Sequence, residues 1–460
     1  MTSPADPALT EALAAAVGAD NLLTDPADCW TYGYDNSRGQ ALPVAVVMPR
    51  DIDAVRRTVL VCRRMQRPLT VRGRGTGTTG AAVPEDGGVV MSMEKMDRIL
   101  RIDAANRLAV VQPGVTNGAL QAAAGAEGFF WPPDPGSSDY CTIGGNLACN
   151  AAGPRALKYG TPRDNTLGLE AVTGEGRMIR SGCHTTKGVV GLDLTRLLIG
   201  SEGTLAIVTE ATLKLTPLAE SVATVRAAYT DMHAAAAAVS RIMAQPVVPR
   251  VLEFLDGPAL ALLRARDPGA VPAAGALLMI EADGLESQLP AAVAALRRAA
   301  AGAGLIEWRA ATDTAEAQAL WAARKALSPA LRSLAPKKIN EDVVVPVSRI
   351  GELADRLEQL AAKHDVRIVS FGHAGNGNLH VNVLGEESDL ERMHACIDEV
   401  FHAVLELGGT LSGEHGVGRS KRDFVSLEID AETLDLMRAV KRTFDPDGIL
   451  NPGKSLPDRA

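Results

Sequence analysis

The run Val71-Arg72-Gly73-Arg74-Gly75-Thr76-Gly77-Thr78-Thr79-Gly80-Ala81-Ala82-Val83-Pro84-Glu85-Asp86-Gly87-Gly88 excludes the fold that its own motif suggests. Gly75 to Gly80 fits G-x-G-x-x-G, the dinucleotide fingerprint, which works only where a helix follows at once and turns its N-terminus to a pyrophosphate. Pro84 and the Gly87-Gly88 pair forbid that helix. The segment therefore reads as strand, glycine-rich turn, strand. Its glycines let successive backbone N–H groups converge, and Thr76, Thr78 and Thr79 add hydroxyls, which makes an anion nest suited to a diphosphate. A second match, Gly448 to Ser455 as GxxxxGKS, also lacks its helix: only Leu456 to Ala460 follow, so it is a coincidence.

A chain of 460 residues exceeds one ordinary core, so at least two domains are expected. With 46% hydrophobic and 22% charged residues it has the composition of a soluble globular protein. A net charge of −8 argues against nucleic acid or an anionic membrane surface as partner. No stretch approaches the roughly 20 apolar residues of a membrane span, and the N-terminus lacks a basic region and apolar signal core. Cys29, Cys62, Cys141, Cys149, Cys183 and Cys396 form no CxxC pair, so no iron–sulfur cluster or zinc ribbon is expected, and a reducing cytoplasm suits them. Redox chemistry would then need an organic cofactor or a partner protein.

Along the chain, a helix is expected from Asp6-Pro7 to Val17 and another from near Asp51 to Met65, with strands at 44–48, 69–71, 89–91 and 108–112. Residues 125–160 are rich in Gly, Pro, Asn and Ser and read as one long functional loop. Strands are expected at 196–199, 205–208 and 212–215. After Pro217 the order becomes β-α-β-β-α-β, the ferredoxin-like arrangement, over 222–309. A helix at 314–331 leads to a second, similar run at 343–407, and the two could share one antiparallel sheet with helices on one face.

Two segments of that half carry side chains for catalysis: His373-Ala374-Gly375-Asn376-Gly377-Asn378-Leu379-His380 and Ser412-Gly413-Glu414-His415-Gly416. Two imidazoles and a carboxylate make the ligand set of an open divalent-metal site, with a further histidine to move a proton. Their glycine-rich setting places them in turns, between strands. On a regular strand His373 and His380, seven apart, would point to opposite faces, so the turn at 375–378 must double the chain back. Polar turn histidines without metal are the plainer alternative.

Three further segments carry a family resemblance: the Arg72–Gly80 loop, Trp131-Pro132-Pro133-Asp134-Pro135-Gly136-Ser137-Ser138 running on to Gly153, and Leu198-Ile199-Gly200-Ser201-Glu202-Gly203-Thr204-Leu205-Ala206-Ile207-Val208. Together they closely resemble the vanillyl-alcohol oxidase / PCMH flavoprotein superfamily, in its branch of D-lactate dehydrogenases, glycolate oxidase catalytic subunits and D-2-hydroxyglutarate dehydrogenases. The resemblance spans about Tyr32 to Lys454. It implies an α+β fold: a PCMH-type FAD-binding domain at 1–217, a substrate-binding cap domain with the ferredoxin-like sheet at 218–410, and a segment at 411–460 returning to the FAD domain.

The resemblance also implies residue roles. Arg72, Gly73, Arg74, Gly75, Thr76, Gly77 and Thr78 would hold the FAD pyrophosphate. Pro133, Asp134, Ser137, Thr142, Gly144, Gly145, Asn146 and Gly153 would line the isoalloxazine and ribityl chain. Glu202, Gly203 and Ile207 would lie along the adenine side, and Asn451 would come back to the flavin. With no histidine in the first loop, non-covalent FAD is expected. A divalent metal, zinc before others, would be held by His373, His380 and Glu414, with His415 as the base. The family commonly has Asp where this chain has Asn376, one anion fewer near that site. Arg324 resembles the family's carboxylate-binding arginine, with Ser328 one turn on; Lys338 or its neighbour Lys337 is a second cation for the substrate.

The expectation is thus an FAD-dependent dehydrogenase passing the α-hydride of a D-2-hydroxy acid, D-lactate or glycolate before D-2-hydroxyglutarate, to flavin N5. Electrons would leave to a quinone, a cytochrome or an electron-transferring flavoprotein. A cytoplasmic location, peripheral contact with the inner membrane and a homodimer are compatible with it. The rivals are a non-redox flavin enzyme of ether-lipid synthesis from the same superfamily, and a non-catalytic metal- or flavin-binding protein.

Overall fold

The computed structural model describes residues 6–458 except residue 332, and the side chains of 328 and 329 are also outside the description. The chain forms two compact units: Met1–Ala152 with Gly160–Leu218 and Glu414–Ala460, and Gly153–Tyr159 with Ala219–Gly413.

The first unit holds a four-stranded and a five-stranded sheet. In the smaller one, strands Ala45–Val47 and Leu69–Arg72 each pair in parallel with Val89–Ser92. The crossover helix Ile52–Arg64 starts where the Asp51 carboxylate accepts the Ala54 N–H (2.7 Å), and its apolar stripe of Val55, Val59 and Cys62 packs on the sheet. Residues 73–88 contain no helix, so the expected strand–turn–strand holds at the Gly-rich loop. The closing segment extends this sheet: Leu69 N–H donates to Ile449 O (2.8 Å), and Asn451 N–H to Leu69 O (2.9 Å). The residues that mimic a phosphate loop are a sheet edge.

The larger sheet is antiparallel, in the order Ile99–Asp103, Leu108–Val111, Ala206–Lys214, Thr166–Thr173, Met178–Gly182. Three expectations fail here. Residues 196–199 were expected as strand, but Leu194–Leu198 is helical because Asp193 caps it by accepting the Arg196 N–H (3.0 Å). The strands expected at 205–208 and 212–215 are one continuous strand whose ladder bends at irregularities after Val208 and Thr212. The expected loop over 125–160 contains helices Ile143–Cys149 and Ala156–Tyr159; Thr142 starts the former by accepting the Gly145 N–H (3.2 Å), which offsets the poor helix propensity of Gly144-Gly145.

The second unit is built on a seven-stranded, wholly antiparallel sheet, ordered Leu305–Ala310, Ser221–Tyr229, Ala276–Gly284, Val251–Asp256, Arg367–His373, Asn378–Gly385, Lys337–Val344. The two runs share one sheet, but helices cover both faces: every residue of the central strand Val251–Asp256 is buried, so the one-face expectation is corrected. Helices Gly257–Arg266 and Thr314–Leu331 cover the face carrying Leu255, Leu277, Met279 and Phe371. The first of these helices gave no periodic signal distinct from its apolar neighbours. Strand Lys337–Val344 begins six residues before the expected one, because the polar Lys337-Lys338-Ile339-Asn340 stretch pairs along Asn382–Gly385.

Candidate active site

In the first unit the Gly-rich loop is braced from beneath. Arg72 is buried and donates through Nη1 to Tyr32 O and Tyr34 O (2.9 Å each), with its guanidinium 5.5 Å from the Tyr32 ring centroid. Asn36 N–H donates to Gly77 O (2.9 Å). Gly73 lies so close to Thr142 that a β-carbon there would be 3.2 Å from Thr142 Cβ. That contact joins the first cofactor-type loop to the start of helix Ile143–Cys149. Behind the helix Asn146 is buried and accepts from Asn117 Nδ2 (3.1 Å), which also donates to Pro133 O (3.1 Å). Asp134 N–H donates to Ala152 O (2.8 Å).

Asn451 is the clasp: Nδ2 donates to Ala81 O (3.2 Å) and Glu202 O (2.5 Å), tying the C-terminal edge to both loops. Glu202, expected along the adenine, also ties two segments of the unit together. Its buried carboxylate accepts the N–H groups of Val417 (2.8 Å) and Gly418 (2.9 Å), and burial raises its pKa despite those bonds. These bonds hold the segment after His415 on the loop, and Thr79 Oγ1 donates to His415 O (3.4 Å). Ile207 is buried in the apolar core of the unit. Gly153 follows Ala152 as the first residue of the second unit's short stretch Gly153–Tyr159.

These residues fit FAD. Two buried polar atoms, Thr78 Oγ1 and Asn451 Oδ1, have no protein partner. Such atoms ask for a polar ligand.

In the second unit, His373 and His380 are buried strand residues, not turn residues as expected: His373 ends Arg367–His373 and His380 is third in Asn378–Gly385. The hairpin between them does double the chain back. Phe371 faces His380 and His373 faces Asn378, so both imidazoles share one sheet face, with ring centroids 5.2 Å apart. Gly377 makes the turn at φ 74°, where a β-carbon would also strike Val345 O.

Sequence reasoning missed two carboxylates on this face. Glu253, wholly buried, accepts from His373 Nδ1 through Oε1 and from Arg324 Nε (2.9 Å) and Nη2 (2.8 Å) through Oε2. Burial alone would raise its pKa, but the His373 and Arg324 charges outweigh that and hold it below the ordinary glutamate value. Arg324 also lies over the Phe371 ring, 4.6 Å from its centroid. Asp342, equally buried, faces His380 across the ladder, with 3.9 Å from His380 Nδ1 to its Oδ1. It accepts from Asn378 Nδ2 (2.7 Å), Ser412 Oγ (3.3 Å) and Gly413 N–H (2.8 Å). Glu414 and His415 are the next two residues of the chain and open the first unit's closing segment. A charged residue inside a fully apolar strand run, as in Val251-Leu252-Glu253-Phe254-Leu255, was the available signal for Glu253.

Strand alternation puts Lys338 on the same face as Asp342, while Lys337 lies on the other and pairs with Glu387 (2.5 Å). Ser328 lies on the Arg324 helix, but its side chain is outside the described residues. The residues fit a divalent ion by their donor chemistry: the Glu253 carboxylate on His373 Nδ1 fixes the tautomer that leaves Nε2 as an electron-pair donor.

Residues 43–182 match the FAD binding domain family and residues 218–455 the C-terminal domain of FAD linked oxidases. The chain belongs to the FAD-linked oxidase family of oxidoreductases. It is 40% identical over 449 residues to the glycolate oxidase subunit GlcD of Bacillus subtilis, covering 96% of each chain. To a D-lactate dehydrogenase of Anaerostipes hadrus it is 35% identical over 428 residues, 90% of each chain. Among solved structures p-cresol methylhydroxylase shares the fold, with a TM-score of 0.80 at 19% identity over 98% of this chain and 96% of that one.

Proposed function

We propose that this chain is an FAD-dependent, metal-assisted dehydrogenase of a D-2-hydroxy acid, with D-lactate or glycolate as substrate. The observation that carries the reading is the sheet face shared by His373, His380 and Glu253, which Arg324 reaches from helix Thr314–Leu331, so that two metal-type imidazoles lie beside a cation for a carboxylate. The relatives named for glycolate and D-lactate chemistry agree with it.

FAD, held non-covalently by the Arg72–Thr78 loop, the Pro133–Asn146 segment, Gly153, Gly203 and Asn451, supplies a hydride acceptor at N5. A divalent ion, zinc before others, held by His373, His380 and Glu414, supplies polarisation of the substrate hydroxyl. Arg324 and Lys338 fix the substrate carboxylate, and Ser328 adds a hydroxyl from the same helix. His415 accepts the hydroxyl proton. Its backbone is kept on the flavin-type loop by the Thr79 bond and the Glu202 clamp, so the base has a fixed reach. The electrons leave to a quinone, a cytochrome or an electron-transferring flavoprotein. No helix among the described residues is long and apolar enough to cross a membrane; the location proposed is cytoplasmic.

Lys338 on the histidine face favours a second reading, a dicarboxylate such as D-2-hydroxyglutarate. Replacing His415 by Asn tests the core assignment: turnover should fall by about 10²–10⁴-fold with FAD retained. Unchanged turnover would remove His415 as the base.

A further inference from the structure

We propose that Glu253 is a positioning residue that sets the metal affinity of the site through His373 and the substrate affinity through Arg324; the inference rests on the metal-assisted reading above. The carboxylate has no solvent exposure, and its two oxygens are divided between two functions. Oε1 takes His373 Nδ1, and Oε2 takes Arg324 Nε and Nη2. The ladder makes this arrangement possible. Phe254 faces Gly372 and Leu255 faces Phe371, so the same register continued by one step brings Glu253 opposite His373.

Two consequences follow from the geometry. A proton held at His373 Nδ1 leaves Nε2 as the ligand atom, and losing such an outer carboxylate typically weakens metal binding by about 10–100-fold. Arg324 gives its Nε edge to Glu253 and is stacked on Phe371, so the opposite end of the guanidinium is the part offered to a substrate carboxylate. Glu253 thus fixes which donors of Arg324 are available.

The test compares Glu253→Gln, Arg324→Gln and the double variant as FAD-loaded full chains stripped with chelator. Zn²⁺ and Mn²⁺ binding is measured by titration calorimetry, beside FAD content and metal-free melting temperature. The double variant removes the unpaired buried guanidinium that could unfold Glu253→Gln alone. Arg324→Gln should keep wild-type metal affinity and raise KM. Glu253→Gln and the double variant should bind metal about 10–100-fold more weakly with FAD content unchanged. Wild-type affinity in the double variant would overturn the role of Glu253 while leaving the metal reading intact. Absence of metal binding by the wild-type chain would overturn the metal reading itself, and this inference with it.

Discussion

At the scale of single residues, the site is specified by close approaches that tolerate little change. Gly73 is pressed against Thr142, whose hydroxyl also caps helix Ile143–Cys149, so Gly73→Ala must displace either the loop or the cap. Overpacking of this kind costs about 1–3 kcal/mol, equivalent to roughly a tenfold or greater loss of FAD affinity. The ratio of flavin to protein absorbance after gel filtration reads it; a variant that keeps full FAD would show that the loop does not approach the cofactor. The pairing of His373 with His380 was legible because the glycine turn between them asks for a hairpin, and that hairpin brings both imidazoles to one sheet face. Glu253 was not, because its meaning depends on partners 71 and 120 positions away, which only sheet pairing brings to it. The bonds of Glu202 were hidden for the same reason: its partners, Val417 and Gly418, lie far along the chain.

At the scale of elements, local signals served best where a cap and a periodicity agreed. The helix Met232–Met243 follows from Asp231 accepting the Ala234 N–H (2.8 Å) and an apolar stripe of alanines, valine and isoleucine. The helix Leu194–Leu198 was mistaken for a strand because the short apolar run Leu197-Leu198-Ile199 fits either period. Asp256 shows how one side chain locks two elements: Oδ1 caps helix Gly257–Arg266 through the Ala259 N–H (2.7 Å), and Oδ2 accepts the Ser370 N–H (2.5 Å) of the neighbouring strand. Asp256→Asn turns an amide NH₂ onto one of these donors and should destabilise the chain by about 1–3 kcal/mol. Burial pushes Asp256 up to about 7 from 3.8, the two N–H bonds notwithstanding. A raised carboxyl pKa favours the native state below the unfolded value and loses that contribution as pH rises through the folded one. The stability gap between wild type and variant should therefore narrow from pH 4 to 7. Denaturant unfolding across that range measures it, and a gap that widens would contradict the assignment.

At the scale of the whole molecule, the sequence pattern changes after Pro217, and the two compact units succeed one another between Leu218 and Ala219. Less legible was the closing stretch. Its phosphate-loop look concealed a sheet edge, because hydrogen bonding between Leu69 and residues 449–451 leaves no local pattern. The most direct measurement is an anaerobic titration of the purified yellow protein with D-lactate, glycolate and D-2-hydroxyglutarate, before and after chelation. Bleaching of the flavin by one of these acids, abolished by the chelator and restored by added Zn²⁺, is the expected result. A flavin that none of the three reduces would contradict the hydroxy-acid assignment, and reduction indifferent to chelation would contradict the metal.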